Sequence, residues 1–181
     1  MFSKVSARSL LLAGLFFSET ALASPTQCSD LASLINQRLS YMKDVAGYKA
    51  EKHLAIEDVP QEVNVMTNSV AVAEKLGLLG ESVKPFIQAQ MDAAKAIQYR
   101  YRADWLFVAE SGWRPNPLPQ VRSKISVLNT DILSCITATL TQGEQFTNKV
   151  AFLRVLNQAN LKDGDKERIW HSLQQITLKR H

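Results

Sequence analysis

Residues 29–53 read SDLASLINQRLSYMKDVAGYKAEKH, and this stretch decides the fold. Its apolar residues Leu31, Leu34, Ile35, Leu39, Met42, Val45 and Ala46 recur at steps of three and four, which places them on one face of a long amphipathic helix. Arg38 and Lys49 lie on that face as well. They are 11 positions apart, three helical turns plus about 20°, so they stand roughly 16 Å from one another with Met42 and Val45 between them. An unpaired cation at each end of an apolar row is costly to bury. Either both side chains reach out to solvent from the edge of the face, or an anion fills the space between them.

The same periodicity continues downstream. After the turn Leu54–Pro60, a second helix runs through Val63, Met66, Val70 and Ala73 to a break at Gly77-Leu78-Leu79-Gly80. Asp58 is its candidate N-cap, with Pro60 in the first turn. A third helix is expected from Ser82 to near Gly112, with Pro85 in its first turn. The stretch Gly112-Trp113-Arg114-Pro115-Asn116-Pro117-Leu118-Pro119 cannot be helical throughout, because its prolines fix φ and remove donors. Trp113 reads as a packing residue there and Arg114 as a solvent-exposed one. Three more helices follow: Val121 to Leu140, Gln142 to Asn160, and Lys162 to Leu178. No segment alternates for long with period two, so the expected fold is an all-α bundle of about six helices in one domain, without a sheet.

The N-terminus stands apart from this pattern. Lys4 and Arg8 precede an apolar run from Leu10 to Phe17, and the small-residue triplet Ala21-Leu22-Ala23 follows. This is the grammar of a cleavable export signal over residues 1–23, cut after Ala23. Its apolar core is far shorter than the roughly 20 residues that span a bilayer, and Thr26-Gln27 before Cys28 does not fit a lipid-attachment site. The expected product is a periplasmic protein of residues 24–181 with no membrane association. Losing Lys4, Arg8 and Glu19 leaves 19 basic and 16 acidic residues, a net charge of +3. No stretch concentrates Lys and Arg into a nucleic-acid footprint. The only two cysteines, Cys28 and Cys135, both lie in the exported part and read as one disulfide, the alternative being two buried free thiols. Closing a loop of about a hundred residues stabilises the fold by up to roughly 4–5 kcal/mol in the chain-entropy model. With two Cys and three scattered His, no zinc-type spacing occurs.

Asp58 and Glu62 share one face at the start of the second helix with Gln61 beside them. They either meet a ligand hydroxyl or complement the helix dipole. Ala94 and Gln98 share a face of the third helix. Taken together, Leu34-Ile35-Asn36-Gln37-Arg38-Leu39, Met42 to Lys49, Ile56-Glu57-Asp58 and Gln90 to Gln98 resemble the all-helical chorismate mutases. The export signal, and Asp104-Trp105 after Gln98-Tyr99-Arg100-Tyr101, are similar to their secreted class. The resemblance covers Leu31 to Trp105 and extends by order and spacing through Arg122.

What it implies is a cofactor-independent, metal-free isomerase that rearranges chorismate to prephenate, as a homodimer. It implies that Arg38 and Lys49 bind substrate, with Lys49 and Gln98 catalytic donors to the ether oxygen of the breaking bond. Asp58 and Glu62 match acidic positions near the ring hydroxyl, and Ala94 shapes the pocket beside them. Arg122 matches a carboxylate-binding cation that the secreted class supplies from its own chain. Residues 24–112 then carry most of the site, and 118–181 form a C-terminal helical part that contributes Arg122. Gln61 departs from the family, where many members carry Arg, and leaves a neutral hydrogen-bond donor in its place. Two other functions fit the same helices: a non-catalytic periplasmic dicarboxylate-binding module, for which Gln61 speaks, and a structural adaptor with no small-molecule site.

Overall fold

The structure is a computed structural model that describes residues 31–180. The expected export signal, its cleavage site and Cys28 lie outside the described residues. Among the described residues seven helices follow in order: α1 (Leu31–Ser40), α2 (Met42–Glu51), α3 (Val59–Lys75), α4 (Gly80–Phe107), α5 (Leu118–Thr141), α6 (Lys149–Val155) and α7 (Asp163–Leu173). There is no strand among the described residues. A single antiparallel bridge pairs Leu78 with Leu178.

The helix expected over 29–53 is α1 and α2, which are separated only by Tyr41. That residue keeps a helical φ of −73° with ψ near −8°, and the Val45 amide still donates to the Tyr41 carbonyl at 3.1 Å, so the direction of the chain persists. Counting α1 and α2 as one gives the six helices expected. α2 ends where His53 turns left-handed at φ 53°. The loop beyond it is fastened to α4 by Tyr99, which donates to Glu57, and by Arg102, which donates to the Leu54 carbonyl at 2.9 Å. Asp58 caps α3 by accepting the Gln61 amide at 3.3 Å. Gly77, at φ 92°, closes its other end in a turn where the Leu78 amide reaches back to Ala73.

Other boundaries differ from expectation, each for a local reason. α4 begins two residues before Ser82, which puts Pro85 in the second turn rather than the first. It stops at Phe107 rather than near Gly112, because Val108 is extended. α5 begins three residues before Val121: Pro119 fits a helix N-terminus, where its missing N–H has no partner in any case. The long fifth helix expected over 142–160 shrinks to α6. Gly143 is left-handed, Asn148 caps α6 through the Ala151 amide, and Asn157 pairs with Asn36 through two hydrogen bonds of 2.8 and 3.1 Å. α7 stops at Leu173 rather than 178, because the chain beyond it pairs with 77–79: Leu79 donates to Thr177 and Lys179 to Gly77.

α4 is the central element, packed on α2, α3 and α7, while α5 closes the other side against α1, α2 and α3. Ile35, Leu39, Phe86, Ile97, Ile132, Ile136 and Ile169 are fully buried between them. Cys135 is buried in the same core. The Pro-rich linker lies along α2. Asp44 accepts from the Asn116 amide and side chain at 2.9 and 3.1 Å, and Trp113 packs on Gly47. The indole sits beneath the Lys43 ammonium at 4.5 Å and beside Trp105 at 5.8 Å between centroids. Arg114 is exposed.

A Cβ at Gly47 would stand 2.6 Å from the Trp113 ring, whereas one at Gly164 in α7 meets nothing within 4 Å. Alanine gains about 1 kcal/mol over glycine inside a helix, but overpacking costs about 1–3 kcal/mol. Gly47→Ala is therefore expected to lower the urea midpoint and Gly164→Ala to raise it. Equal gains from both would show that the linker does not press on α2.

Candidate active site

α1, α2, α3, α4 and α5 enclose a cavity of about 430 Å³. Its floor is the row read from the sequence: Arg38, Met42, Val45 and Lys49 all line it. Asp58, Gln61 and Glu62 enter from the first turn of α3, Ala94 and Gln98 from α4, and Arg122 from the first turns of α5. All eight residues singled out by the sequence thus face one space, within a single chain. Among the described residues no group of three or more His, Cys, Asp or Glu could hold a metal ion.

The two cations of the row are buried, each about 5% exposed. No ion pair among the described residues includes either. Arg38 Nε donates to Asn129 Oδ1 at 2.8 Å, and Nη1 makes a long contact of 3.5 Å with the Gln90 carbonyl. Lys49 Nζ donates to the Ile56 carbonyl. All these partners are neutral. Burial pushes the Arg38 guanidinium down to about 10, so it stays charged at neutral pH. Burial likewise pushes the Lys49 ammonium below its ordinary value; Asp58 opposes that shift and Arg122 adds to it. Snorkelling to solvent is excluded for both.

The acidic residues, in contrast, are already partnered. Asp58 serves two roles. It caps α3, and it accepts from Arg122 Nη2 at 2.6 Å. Burial pushes its carboxyl up, but the Arg122 hydrogen bond, the Gln61 amide and the nearby cations outweigh this and hold it below the usual carboxylate range. Glu62 takes Lys95 at 2.9 Å and the Asp58 amide at 3.4 Å. Arg122 is therefore fixed across the cavity mouth by the residue that begins α3.

Gln98 lies at 5% exposure on the wall opposite Lys49. Its Nε2 donates to the Ala94 carbonyl at 3.1 Å and rests on Met42 Sδ at 3.6 Å. A thioether is a weak acceptor, so one amide hydrogen is available to a better oxygen. Gln98 Oε1 is buried without a partner. Sequence reading missed Asn129, Ser126 and Thr130 on α5, and Asn64, Asn68 and the buried Ser69 on α3, all of which line the cavity. Helical spacing could have found two of them: Asn129 follows Arg122 by seven and Ser69 follows Glu62 by seven, two turns in each case.

The chain has named relatives. Residues 29–99 match the family model for chorismate mutase type II. Over 172 residues the chain is 50% identical to a secreted chorismate mutase of Yersinia pestis, covering 94% of this chain and 92% of that one. Over 154 residues it is 40% identical to a monofunctional chorismate mutase of Enterobacter agglomerans, covering 84% and 85%. The crystal structure of secreted chorismate mutase from Yersinia pestis superposes with a TM-score of 0.82 at 52% identity, over 84% of this chain and 100% of that one. A chorismate mutase structure from Burkholderia thailandensis, 20% identical, has the same fold, with a TM-score of 0.66.

A buried guanidinium without a carboxylate destabilises the ligand-free protein, because its folded-state pKa lies below the unfolded one. Replacing it by an apolar side chain of similar length removes that cost. Arg38→Met is expected to raise unfolding stability at pH 7 by about 1–2 kcal/mol, measured by urea denaturation without ligand. A loss of similar size would mean that Arg38 supports the fold.

Proposed function

As a member of the type II chorismate mutase family this chain is a chorismate mutase, an isomerase, and we propose that Lys49 and Gln98 carry its chemistry while Arg38 and Arg122 hold the substrate. The observation that carries this reading is the pair of buried cations that form no ion pair, Arg38 and Lys49, along one wall of a cavity that opens to solvent past Arg122. Chorismate is a dicarboxylate enol ether. Two anionic groups and a polarisable oxygen are what such a cavity lacks.

The reaction is a unimolecular [3,3] rearrangement: the ether C–O bond breaks as a C–C bond forms, and no nucleophile or base is needed. Two things lower its barrier. One is holding the substrate in the compact conformer that brings the reacting ends together. The other is a set of fixed donors aimed at the ether oxygen as negative charge develops on it. Guanidinium forks suit carboxylates, and Arg38 and Arg122 reach the cavity from α1 and α5. Lys49 and Gln98 approach the ether oxygen from α2 and α4, and the Gln98 hydrogen now resting on Met42 turns to it. Asp58 and Glu62 keep lone pairs for the ring hydroxyl beyond those given to Arg122 and Lys95. Ala94 shapes the wall, and Gln61 offers a neutral donor in place of a fourth cation.

The protein acts outside the cytoplasm in this reading. Residues 1–23 direct export to the periplasm with cleavage after Ala23, and 24–181 form the one mature domain. Support comes from the N-terminal sequence and from the secreted relative. The Cys28–Cys135 disulfide belongs to the same reading, supported by the absence of a free cysteine among the described residues. So does a homodimer, for which Leu106 and Phe107, 91% and 92% exposed, offer an apolar patch to a second copy. Arg122 comes from the same chain as the other site residues, so each protomer's cavity is complete without its partner.

Losing one preorganised donor costs about a hundredfold to a thousandfold in turnover. Lys49→Ala and Gln98→Ala are each expected to lower chorismate-to-prephenate kcat at least about a hundredfold; a loss below about fivefold at both refutes the assignment. Gln98 donates at any pH, so the rate is expected to stay flat from about pH 6 to 8. The depressed Lys49 pKa then brings the alkaline limb of kcat/KM below the pH at which an exposed lysine loses its proton, near 10.4. In kcat the limb moves upward, because a bound dianion favours the ammonium. A steep fall between pH 6 and 8 contradicts this.

A further inference from the structure

Arg38 is the most deeply placed cation of the cavity, and no acid sets its orientation. The one short hydrogen bond to its guanidinium runs from Nε to Asn129 Oδ1 at 2.8 Å; the Gln90 carbonyl lies farther off, at 3.5 Å. We propose that Asn129 is a positioning residue of the reaction: its neutral carboxamide fixes the plane of the Arg38 guanidinium while leaving the full charge to a substrate carboxylate. The inference rests on the reading that Arg38 binds that carboxylate.

Three observations support it. Asn129 stands two turns after Arg122 on the same face of α5, and both line the cavity. One helix therefore presents one cation directly and aims another that belongs to α1. Second, the bond engages Nε rather than the terminal nitrogens, and a guanidinium held there keeps its outer N–H groups for a ligand. Third, the acceptor is the uncharged member of an isosteric pair. An aspartate at 129 would fit the same space and accept the same hydrogen bond, but from this half-buried position it would pair with Arg38 and offset the charge the substrate needs. Fixing a guanidinium without neutralising it calls for an amide.

Activity should therefore fall without any loss of stability, a result that a merely structural Asn129 would not give. Kinetics and thermal unfolding of the mature protein are measured for the wild type, Asn129→Asp, Arg38→Met and the double variant. In Asn129→Asp, kcat/KM is expected to fall about tenfold or more, chiefly through KM, with the midpoint of unfolding unchanged or raised. In the Arg38→Met background the same substitution is expected to change kcat/KM by less than about threefold, because its target is gone. Kinetics of Asn129→Asp within about twofold of wild type overturn the proposal, as does an equal loss in both backgrounds. A crippled Arg38→Met beside a normal Asn129→Asp overturns the role of Asn129 alone. An Arg38→Met enzyme as active as wild type overturns the role of Arg38 and this inference with it.

Discussion

Two cations held in an apolar interior without counter-ions are the constraint around which this molecule is arranged. Arg38 and Lys49 sit on the face that α1 and α2 turn toward the rest of the bundle, where Met42, Val45 and the core of α4 and α5 exclude water. Each ionised group taken out of water costs several kcal/mol unless it is compensated. The compensation here is partial: the hydrogen-bond partners are carbonyls and one carboxamide, all neutral, and carboxylates such as Asp58 act on Lys49 only from a distance. Such a protein has surplus positive potential along the buried wall of its cavity, and the surplus is what a dianion can use.

The helices that carry this arrangement are stabilised elsewhere. α4 and α7 share a large apolar contact that includes Phe86, Ile97, Ile169 and Leu173, and Arg100 joins them by donating to Asp165 and to the Asn160 carbonyl. None of these residues lines the cavity. Asp58 is the exception, because it belongs to both systems. As the N-cap of α3 it contributes about 1 kcal/mol to that helix, and as the partner of Arg122 it fixes the first turns of α5 against α3. The cavity mouth is therefore set by the same carboxylate that starts a helix, so the shape of the site and the register of α3 cannot vary independently.

Much of this was legible in the sequence because helical geometry turns spacing into direction. Eleven residues between Arg38 and Lys49 place both on one face whatever they pack against, and Asp58 followed by Pro60 marks a helix start by local chemistry alone. What periodicity could not supply was partnership. The pairing of Asn157 with Asn36, 121 residues apart, stops a run that reads as helical to Asn160. The bridge at Leu178 ends α7 in the same way. Asp58 and Glu62 read as partners of a ligand hydroxyl or of the helix dipole, yet they are bound to Arg122 and Lys95, because nothing local announces a cation arriving from another helix. Asn129 was missed for the same reason: its acceptor matters only through the guanidinium that α1 brings to it.

The choice of neutral hydrogen-bond partners gives a physical account of why neither buried cation is matched by a contacting acid. A carboxylate placed beside Arg38 or Lys49 would relieve desolvation and stabilise the free protein, but substrate would then have to displace it, and the gain in stability would reappear as a loss of affinity. A carbonyl or amide avoids this exchange. It orients the donor, satisfies one of its hydrogens and leaves the monopole intact. Arg122 follows a different rule and is paired with Asp58, but both are more than a third exposed, where solvent screening lowers the attraction and so the charge lost to the pair. The division runs with the depth of the cation: neutral acceptors for the two buried ones, an acid for the one that solvent already screens.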